Sequence, residues 1–129
     1  SEGYSIVVHY NQSQREAEQV AEECRGHQVK AEALQGDFST RLGAEAFVTR
    51  YLSRFSQTEG LINNVGNFLV KNASETSTEE WEQLFQSNLY APITLIKGLS
   101  DSIKSNRGTI VNMGVAGLGK TDSYSTAYS

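Results

Sequence analysis

The stretch Gly60-Leu61-Ile62-Asn63-Asn64-Val65-Gly66 decides the fold of this chain. Its short apolar run predicts a buried strand, and two amides, a valine and a glycine follow where that strand should end. In open α/β folds, ligands bind outside the carboxyl ends of the parallel strands. Gly66 would let the backbone approach a flat ligand closely, and Asn63 and Asn64 can hydrogen-bond a neighbouring strand or a ribose. Taken alone, the stretch also fits an ordinary strand-to-loop turn.

Strands and helices alternate on both sides of this stretch. The four expected strands cover residues 4–10, 29–34, 60–65 and 108–113. We expect helices to begin at Ser13, at Ser39 or Thr40, and at Ser77, the last one running past Pro92 to about Ser105. Strict alternation of this kind favours an α/β fold in which helices cover both faces of a parallel sheet.

Helix signals support these assignments. Ser13 and Ser77 each stand three residues before a glutamate, which is the capping-box pattern. Gly26 is the expected stop of the first helix. The predicted core faces of the first two helices consist of Ala17, Val20, Ala21 and Cys24, and of Ala44, Phe47, Val48, Tyr51, Leu52 and Phe55.

Composition excludes several classes of protein. The chain has 129 residues, of which 38% are hydrophobic and 20% charged, with a net charge of −4, so we expect one globular domain over residues 1–129. Scattered basic residues argue against nucleic acid or a membrane as a partner, and no apolar run is long enough to span a bilayer. The single Cys24 predicts a reducing, cytoplasmic location, and it forms no recognisable metal site with His9 and His27.

Five pieces of this sequence, in register along the chain, resemble the short-chain dehydrogenase/reductase family. They are Gly36-Asp37-Phe38 after a strand, Asn63-Asn64-Val65-Gly66 for the family's Asn-Asn-Ala-Gly, residues 78–89 for its Trp-to-Asn helix, residues 108–113 for its Gly-x-Ile-Val-Asn strand, and Ala127-Tyr128-Ser129 for the start of its active-site motif. The resemblance implies a Rossmann-like, doubly wound parallel sheet in three αβα layers.

The same resemblance implies an incomplete sheet. In the strand order 3-2-1-4-5-6, the four expected strands correspond to strands 2, 3, 4 and 5, so the central strand and its glycine-rich loop are not among them. Either residues 6–8 pair with residues 61–63 and close the gap, or the remainder of the protein supplies the centre, which we favour. We therefore expect the isolated 129-residue chain to fold poorly and to be inactive.

The implied activity is NAD(P)-dependent hydride transfer between a nicotinamide and a carbonyl or alcohol substrate. Tyr128 takes the place of the family's proton donor and acceptor, with Tyr124 as a rival. The family's lysine, four positions after the tyrosine, does not occur in this sequence. Its serine would fall at Val115 or Gly114, neither of which has a hydroxyl, so a non-catalytic binding or assembly domain is the alternative.

Asn88 projects from the apolar face of its predicted helix, four residues after Leu84. A buried amide needs partners, since leaving it unpaired costs about 1–3 kcal/mol. One interpretation is a hydrogen bond to a neighbouring backbone. The resemblance implies a second one, a helix irregularity at Asn88 that holds a water in the proton relay. It also implies that the helix over residues 77–105 pairs with its mate in a homo-oligomer.

By the same resemblance, the cofactor's adenosine would lie against Asp37, Phe38, Asn64, Val65 and Gly66. Two further contacts, Asn11 and Ser13, lie in the turn after the first strand. That turn carries no carboxylate to bind a ribose 2′-hydroxyl, and Arg15 is close by. A small hydroxyl at a helix start suits a 2′-phosphate, which favours NADP over NAD, although NAD stays possible.

A third hypothesis comes from residues 114–121, which match the P-loop pattern GxxxxGK[ST] in full. In that interpretation Lys120 would reach the terminal phosphates of a nucleotide and Thr121 would bind Mg²⁺. Residues 122–129 are a poor opening for a long apolar helix, and the chain offers no later strand for a Mg²⁺-orienting Asp. The motifs upstream already explain the preceding strand as the family's fifth.

Overall fold

The structure is a computed structural model that describes residues 3–114. The chain divides into two compact units, Ser1–Asp37 and Phe38–Ser129. Each unit contains parallel strands connected through a helix, which confirms the predicted α/β class. The single domain expected over residues 1–129 stays a prediction.

The first unit is one strand–helix–strand repeat. Strand β1 covers Ile6–Tyr10, helix α1 covers Gln14–Gly26 and strand β2 covers Ala31–Gln35. The two strands are parallel and in register from the Ile6–Ala31 pair to the Tyr10–Gln35 pair. Ala17 and Ala21 on α1 are both buried, as the helical spacing of small apolar residues predicts.

Two details at the ends of α1 differ from expectation. Ser13 begins the helix, but with φ −85° and ψ 58° its backbone is not extended, and within the described residues its side chain makes no capping hydrogen bond. The capping box predicted there is therefore wrong. The left-handed residue after the helix is Gln28, with φ 63°, whereas Gly26 is the last helical residue. Strand β2 consequently begins later than predicted, at Ala31.

The second unit contains the remaining elements in helical and strand order. Helix α2 covers Arg41–Arg54, strand β3 Gly60–Asn63, a 3₁₀ turn Ala73–Glu75, helix α3 Thr78–Phe85, a π-helical segment Gln86–Tyr90, helix α4 Ala91–Ser105 and strand β4 Thr109–Asn112. Strands β3 and β4 are parallel, with Leu61 beside Ile110 and Asn63 beside Asn112. The π-helical segment, called the π segment below, interrupts the helix that the sequence predicts over residues 77–105.

Close approach of backbones shapes the core of this unit. A Cβ atom added at Gly98 of α4 would overlap the side chain of Val48, so α2 and α4 touch there without an intervening side chain. A Cβ at Gly108 would overlap the carbonyl group of Glu59, just before β3. These two glycines set the spacing between elements because only glycine leaves the room. The buried apolar residues of the long helical stretch are Leu84, Ala91, Leu95, Leu99 and Ile103.

The two helix starts of this unit form as predicted. The Thr40 hydroxyl accepts a hydrogen bond from the Gly43 N–H at 3.1 Å and caps α2. Ser77 and Glu80 form a complete capping box at the start of α3. Both caps anchor helices that follow a loop, which fixes where the chain re-enters the core.

The strands of the described residues form two separate two-stranded sheets, β1 with β2 and β3 with β4. The alternative in which residues 6–8 close up against residues 61–63 is therefore wrong. The pairs correspond to strands 2–3 and 4–5 of the expected order, and the position of strand 1 lies between those pairs in that order. Over residues 3–114, no helix is long and apolar enough to cross a membrane.

Candidate active site

Asn63 joins the two strands of the second unit at their carboxyl ends. Its Nδ2 donates to Oδ1 of Asn112 at 2.8 Å, and its carbonyl accepts from the Met113 N–H at 2.9 Å. Only 8% of Asn63 is exposed, so both of its polar groups are satisfied within the sheet. Of the two roles open to this amide, tying neighbouring strands is the one that the structure shows.

The next three residues, Asn64, Val65 and Gly66, leave the sheet and are exposed. Val65 exposes 40% of its surface although it is apolar. An exposed amide, an apolar side chain and a glycine directly beyond the carboxyl end of a parallel strand form a surface that suits a flat, partly polar ligand.

The π segment contains Asn88, where the family resemblance implies a helix irregularity, and this prediction is confirmed. The Ala91 N–H donates to the Gln86 carbonyl five residues back, so this turn is wider than an α-helical turn. The Asn88 side chain reaches the loop after β3. Its Nδ2 donates to the Asn67 carbonyl at 2.7 Å, and its Oδ1 accepts from the Asn67 N–H at 2.8 Å.

Two polar residues next to Asn88 escaped the sequence analysis. Ser87 is only 2% exposed, and its hydroxyl lies 3.2 Å from both the Asn67 Nδ2 and the Asn88 Oδ1. The sequence does contain a signal for Ser87, because it occupies a helical position between the buried Leu84 and Ala91. The sequence contains no comparable signal for Asn67, whose partners are 20 and 21 residues away.

In the first unit, the turns after β1 and β2 are tied together. The Gly36 N–H donates to the Tyr10 carbonyl at 2.8 Å, and His9 Nε2 lies 2.8 Å from the Gly36 carbonyl. Burial lowers the pKa of His9 below its usual 6.5, and the hydrogen bond to Gly36 offsets this only in part. A neutral ring with its proton on Nε2 therefore donates to that carbonyl and fixes the backbone just before Asp37.

The sequence-predicted residues of this turn lie at the surface. Asn11, Ser13 and Asp37 are exposed, and the Asn11 carbonyl accepts from Gln35 Nε2 at 3.4 Å. Because the Ser13 hydroxyl does not cap α1, it stays at the surface beside the helix N-terminus. That position combines a hydroxyl with the partial positive charge of a helix start, which suits an anion.

Phe38 begins the second unit, and its ring belongs to the core. It is 4% exposed and packs edge-on against Phe47, with ring centroids 5.2 Å apart and an interplanar angle of 89°. An edge-to-face pair of this kind stabilises the start of α2. Any contribution of Phe38 to a ligand would come from its backbone rather than from its ring.

Several predicted residues lie outside the described residues: Tyr124, Tyr128, Val115, Lys120 and Thr121. Gly114 is described and exposed, and a Cβ added there would have nothing within 4 Å. Between residues 3 and 114, no group of three or more histidines, cysteines or carboxylates is arranged to bind a metal ion.

Comparison with known proteins adds three findings. The model of the family described as short chain dehydrogenase matches residues 1–129. The 3-oxoacyl-[acyl-carrier-protein] reductase FabG of Staphylococcus aureus is 26% identical over 113 residues, which are 87% of this chain and 46% of that protein. The chain thus spans about half the length of the curated relatives that it matches.

Two solved structures share the fold closely. A putative dehydrogenase from Burkholderia cenocepacia with bound NADP has 27% identity and a TM-score of 0.84, over 96% of this chain and 47% of that one. A metagenomic short-chain oxidoreductase in complex with NADP has 25% identity and a TM-score of 0.85, over 98% of this chain and 57% of that one.

Proposed function

This chain belongs to the short-chain dehydrogenase family, and we propose that it forms much of the cofactor-binding part of an NADP-dependent oxidoreductase that interconverts a carbonyl and an alcohol. One observation carries the proposal. The π segment at Asn88 is bonded to the loop that leaves β3, in a chain whose family match covers every residue. The FabG relative is a 3-oxoacyl reductase, which supports a carbonyl as the reacting group.

The described residues fit a dinucleotide at two places, one in each unit. In the second unit, Asn64, Val65 and Gly66 would line the adenosine side, and their exposure leaves them accessible. In the first unit, Asp37 follows the turn that His9 fixes, and Asn11 and Ser13 follow β1. When bound, the nicotinamide cofactor supplies or accepts the hydride.

We assign NADP rather than NAD because of the residues around the start of α1. The uncapped hydroxyl of Ser13 would donate to a 2′-phosphate, and the exposed Arg15 would add positive charge. The turn between β1 and α1 contains no carboxylate to repel that phosphate. The NADP bound to two similar structures agrees with this choice, and NAD is the alternative.

Proton transfer is the task of Tyr128 and Asn88 in this proposal. A phenol has a pKa of about 10, so Tyr128 needs positive charge nearby to act at neutral pH. In relatives of this type, a lysine one helical turn later supplies that charge. Asn88 would hold a water at the wide turn of the π segment, which links the tyrosine to solvent.

The helical stretch that contains the π segment also favours a homo-oligomer. Four large apolar residues on it are between 42% and 53% exposed: Phe85, Leu89, Tyr90 and Ile93. An exposed apolar patch of this kind on a helix is typical of a protein–protein contact. We propose that two copies pair through this face, in the cytoplasm, as the single Cys24 suggests.

The alternative is a non-catalytic binding or assembly domain with the same fold. It draws support from Gly114 and Val115, which cannot donate the side-chain hydrogen bond expected of a serine there. It predicts oligomers and cofactor binding without turnover. A P-loop at residues 114–121 would instead predict ATP binding that Lys120→Ala abolishes.

The deciding experiment measures NADPH oxidation with simple ketones and 3-oxoacyl thioesters by the complete gene product. We expect Tyr128→Phe to lower kcat at least 100-fold, since a positioned proton donor contributes about that much. Tyr124→Phe is the matched control and should retain kcat. A loss confined to Tyr124→Phe would move the role to that residue, and intact oligomers without turnover would establish the binding domain.

A further inference from the structure

We infer that Ser87, together with the side-chain amide of Asn67, is a positioning residue that holds Asn88 and the π segment in the geometry needed for proton transfer. The inference rests on the proposed function for its catalytic part. Its structural part, a three-residue hydrogen-bonded lock formed by Asn67, Ser87 and Asn88, stands on the contacts of the second unit alone.

The first part of the lock is reciprocal. Asn88 donates to the Asn67 carbonyl at 2.7 Å and accepts from the Asn67 N–H at 2.8 Å, so the amide uses a donor and an acceptor on one backbone unit. Turning the amide over would oppose donor to donor and acceptor to acceptor. The side chain therefore has a single orientation and joins the π segment to the loop after β3.

The second part is the buried Ser87 hydroxyl. Its oxygen lies 3.2 Å from Asn67 Nδ2, from which it accepts. Its one proton has three acceptors in reach: the Gln83 carbonyl at 2.9 Å, the Leu84 carbonyl at 3.4 Å and Asn88 Oδ1 at 3.2 Å. The Gln83 carbonyl is the nearest, and it belongs to the last turn of α3, where the hydrogen-bonding pattern changes from α to π.

The two parts share Asn67, which explains why all three residues act together. Asn67 contacts Asn88 through its backbone and Ser87 through its side chain, so the loop is held at two points 3.2 Å or less from the helix. A buried apolar residue at position 87 would fill the space but leave the Asn67 amide without its partner. The hydroxyl thus restrains the backbone of residue 88, whose placement the proposed relay needs.

The test uses four variants of the complete gene product: Ser87→Ala, Asn67→Ala, the double variant, and Ser100→Ala as the matched control. Ser100 donates a comparable hydrogen bond, to the Lys97 carbonyl at 3.1 Å on α4, but it is not part of the lock. Amide hydrogen exchange over residues 67 and 86–91 reports on the lock without reference to activity. NADPH binding, KM, kcat and the solvent deuterium isotope effect on kcat report on the relay.

We expect Ser87→Ala and Asn67→Ala each to speed exchange in those residues and to lower kcat about tenfold, as a small misplacement near the chemistry does. KM and the NADPH dissociation constant should stay unchanged, and the solvent isotope effect should rise because proton transfer becomes limiting. The double variant should resemble either single variant, since the residues act as one unit. Ser100→Ala should match the wild type in every measurement.

Unchanged exchange in the two single variants would overturn the lock itself. Faster exchange with an unchanged kcat and isotope effect would overturn the positioning role and leave Ser87 as a structural residue. Additive losses in the double variant would show that the two side chains act independently, which also contradicts the proposal. A wild-type protein without any turnover would refute the proposed function, and the exchange measurements would still decide whether the lock exists.

Discussion

Two helices of this protein begin with the same pattern, a serine three residues before a glutamate, and only one of them forms the capping box. At the start of α3, the Ser77 N–H donates to Glu80 at 2.8 Å and the Ser77 hydroxyl accepts from the Glu80 N–H at 3.2 Å. At the start of α1, the Ser13 side chain makes no such bond within the described residues. Identical side chains thus serve two different purposes.

The backbone decides which serine caps its helix. Ser77 has ψ 161°, in the extended region that capping requires, whereas Ser13 has ψ 58°. A tight turn precedes Ser13, in which the Gln14 N–H donates to the Gln12 carbonyl at 3.0 Å. At α3, Lys71 also holds Glu80 in place, with Nζ 2.9 and 3.0 Å from the two carboxylate oxygens. A closed cap stabilises α3, and an open cap leaves Ser13 accessible to a ligand.

The sharpest way to break this comparison is to place a negative charge at each cap. In the complete gene product, Ser13→Asp should weaken NADPH binding at least tenfold, about 1.4 kcal/mol, because the carboxylate repels the 2′-phosphate. NADH binding should change far less. Ser77→Asp is the matched control and should bind both cofactors like the wild type, since aspartate also caps helices well. Equal losses for the two cofactors, or tighter NADH than NADPH binding by the wild type, would contradict the assignment.

Removing each hydroxyl sharpens the comparison on the side of stability. Ser77→Ala should lower the free energy of unfolding by about 1 kcal/mol, the usual contribution of a capping side chain. Ser13→Ala should lower it by less than about 0.5 kcal/mol, as a surface substitution away from such features does. Urea denaturation of both variants measures the difference. A similar loss at both positions would mean that Ser13 caps α1 in solution after all.

The smallest expected effect is a pH dependence confined to α3. The hydrogen bond from Lys71, reinforced by the Ser77 N–H, holds the pKa of Glu80 below its usual 4.5. A lowered folded-state pKa stabilises the protein above pH 4.5, and this contribution is lost as the pH falls through the folded value. The stability of Glu80→Gln should therefore fall less than that of the wild type on acidification below pH 4.5. Lys71→Met should reproduce part of this change, and acid unfolding curves that coincide for all three proteins would contradict it.

The order of elements was predictable because it depends on local patterns. The apolar runs located all four strands to within two residues at most of their ends, and Thr40 and Ser77 marked the starts of α2 and α3. The end of α1 was not predictable in detail, since a left-handed conformation at Gln28 is uncommon for a residue other than glycine. The open cap at Ser13 escaped for a related reason, because the turn before it sets its ψ angle.

The candidate site was predictable only in part. The irregular helix at Asn88 followed from the family resemblance, and the buried position of Asn63 followed from its place at the end of a strand. The contacts of Asn67 with Ser87 and Asn88 did not follow, because they connect residues distant in sequence through tertiary structure. Periodicity can show that Ser87 is buried, but it cannot name the amide that its hydroxyl meets.

The contact between Gly108 and Glu59 has a consequence for how variation among relatives should be interpreted. Because any side chain at position 108 would overlap the carbonyl group of Glu59, a substitution there forces β4 away from the end of the segment before β3. Relatives that keep this spacing should therefore keep a glycine at this position through long divergence. Such invariance would record a constraint on folding, although an alignment alone would place Gly108 beside the catalytic residues as equally unchanging.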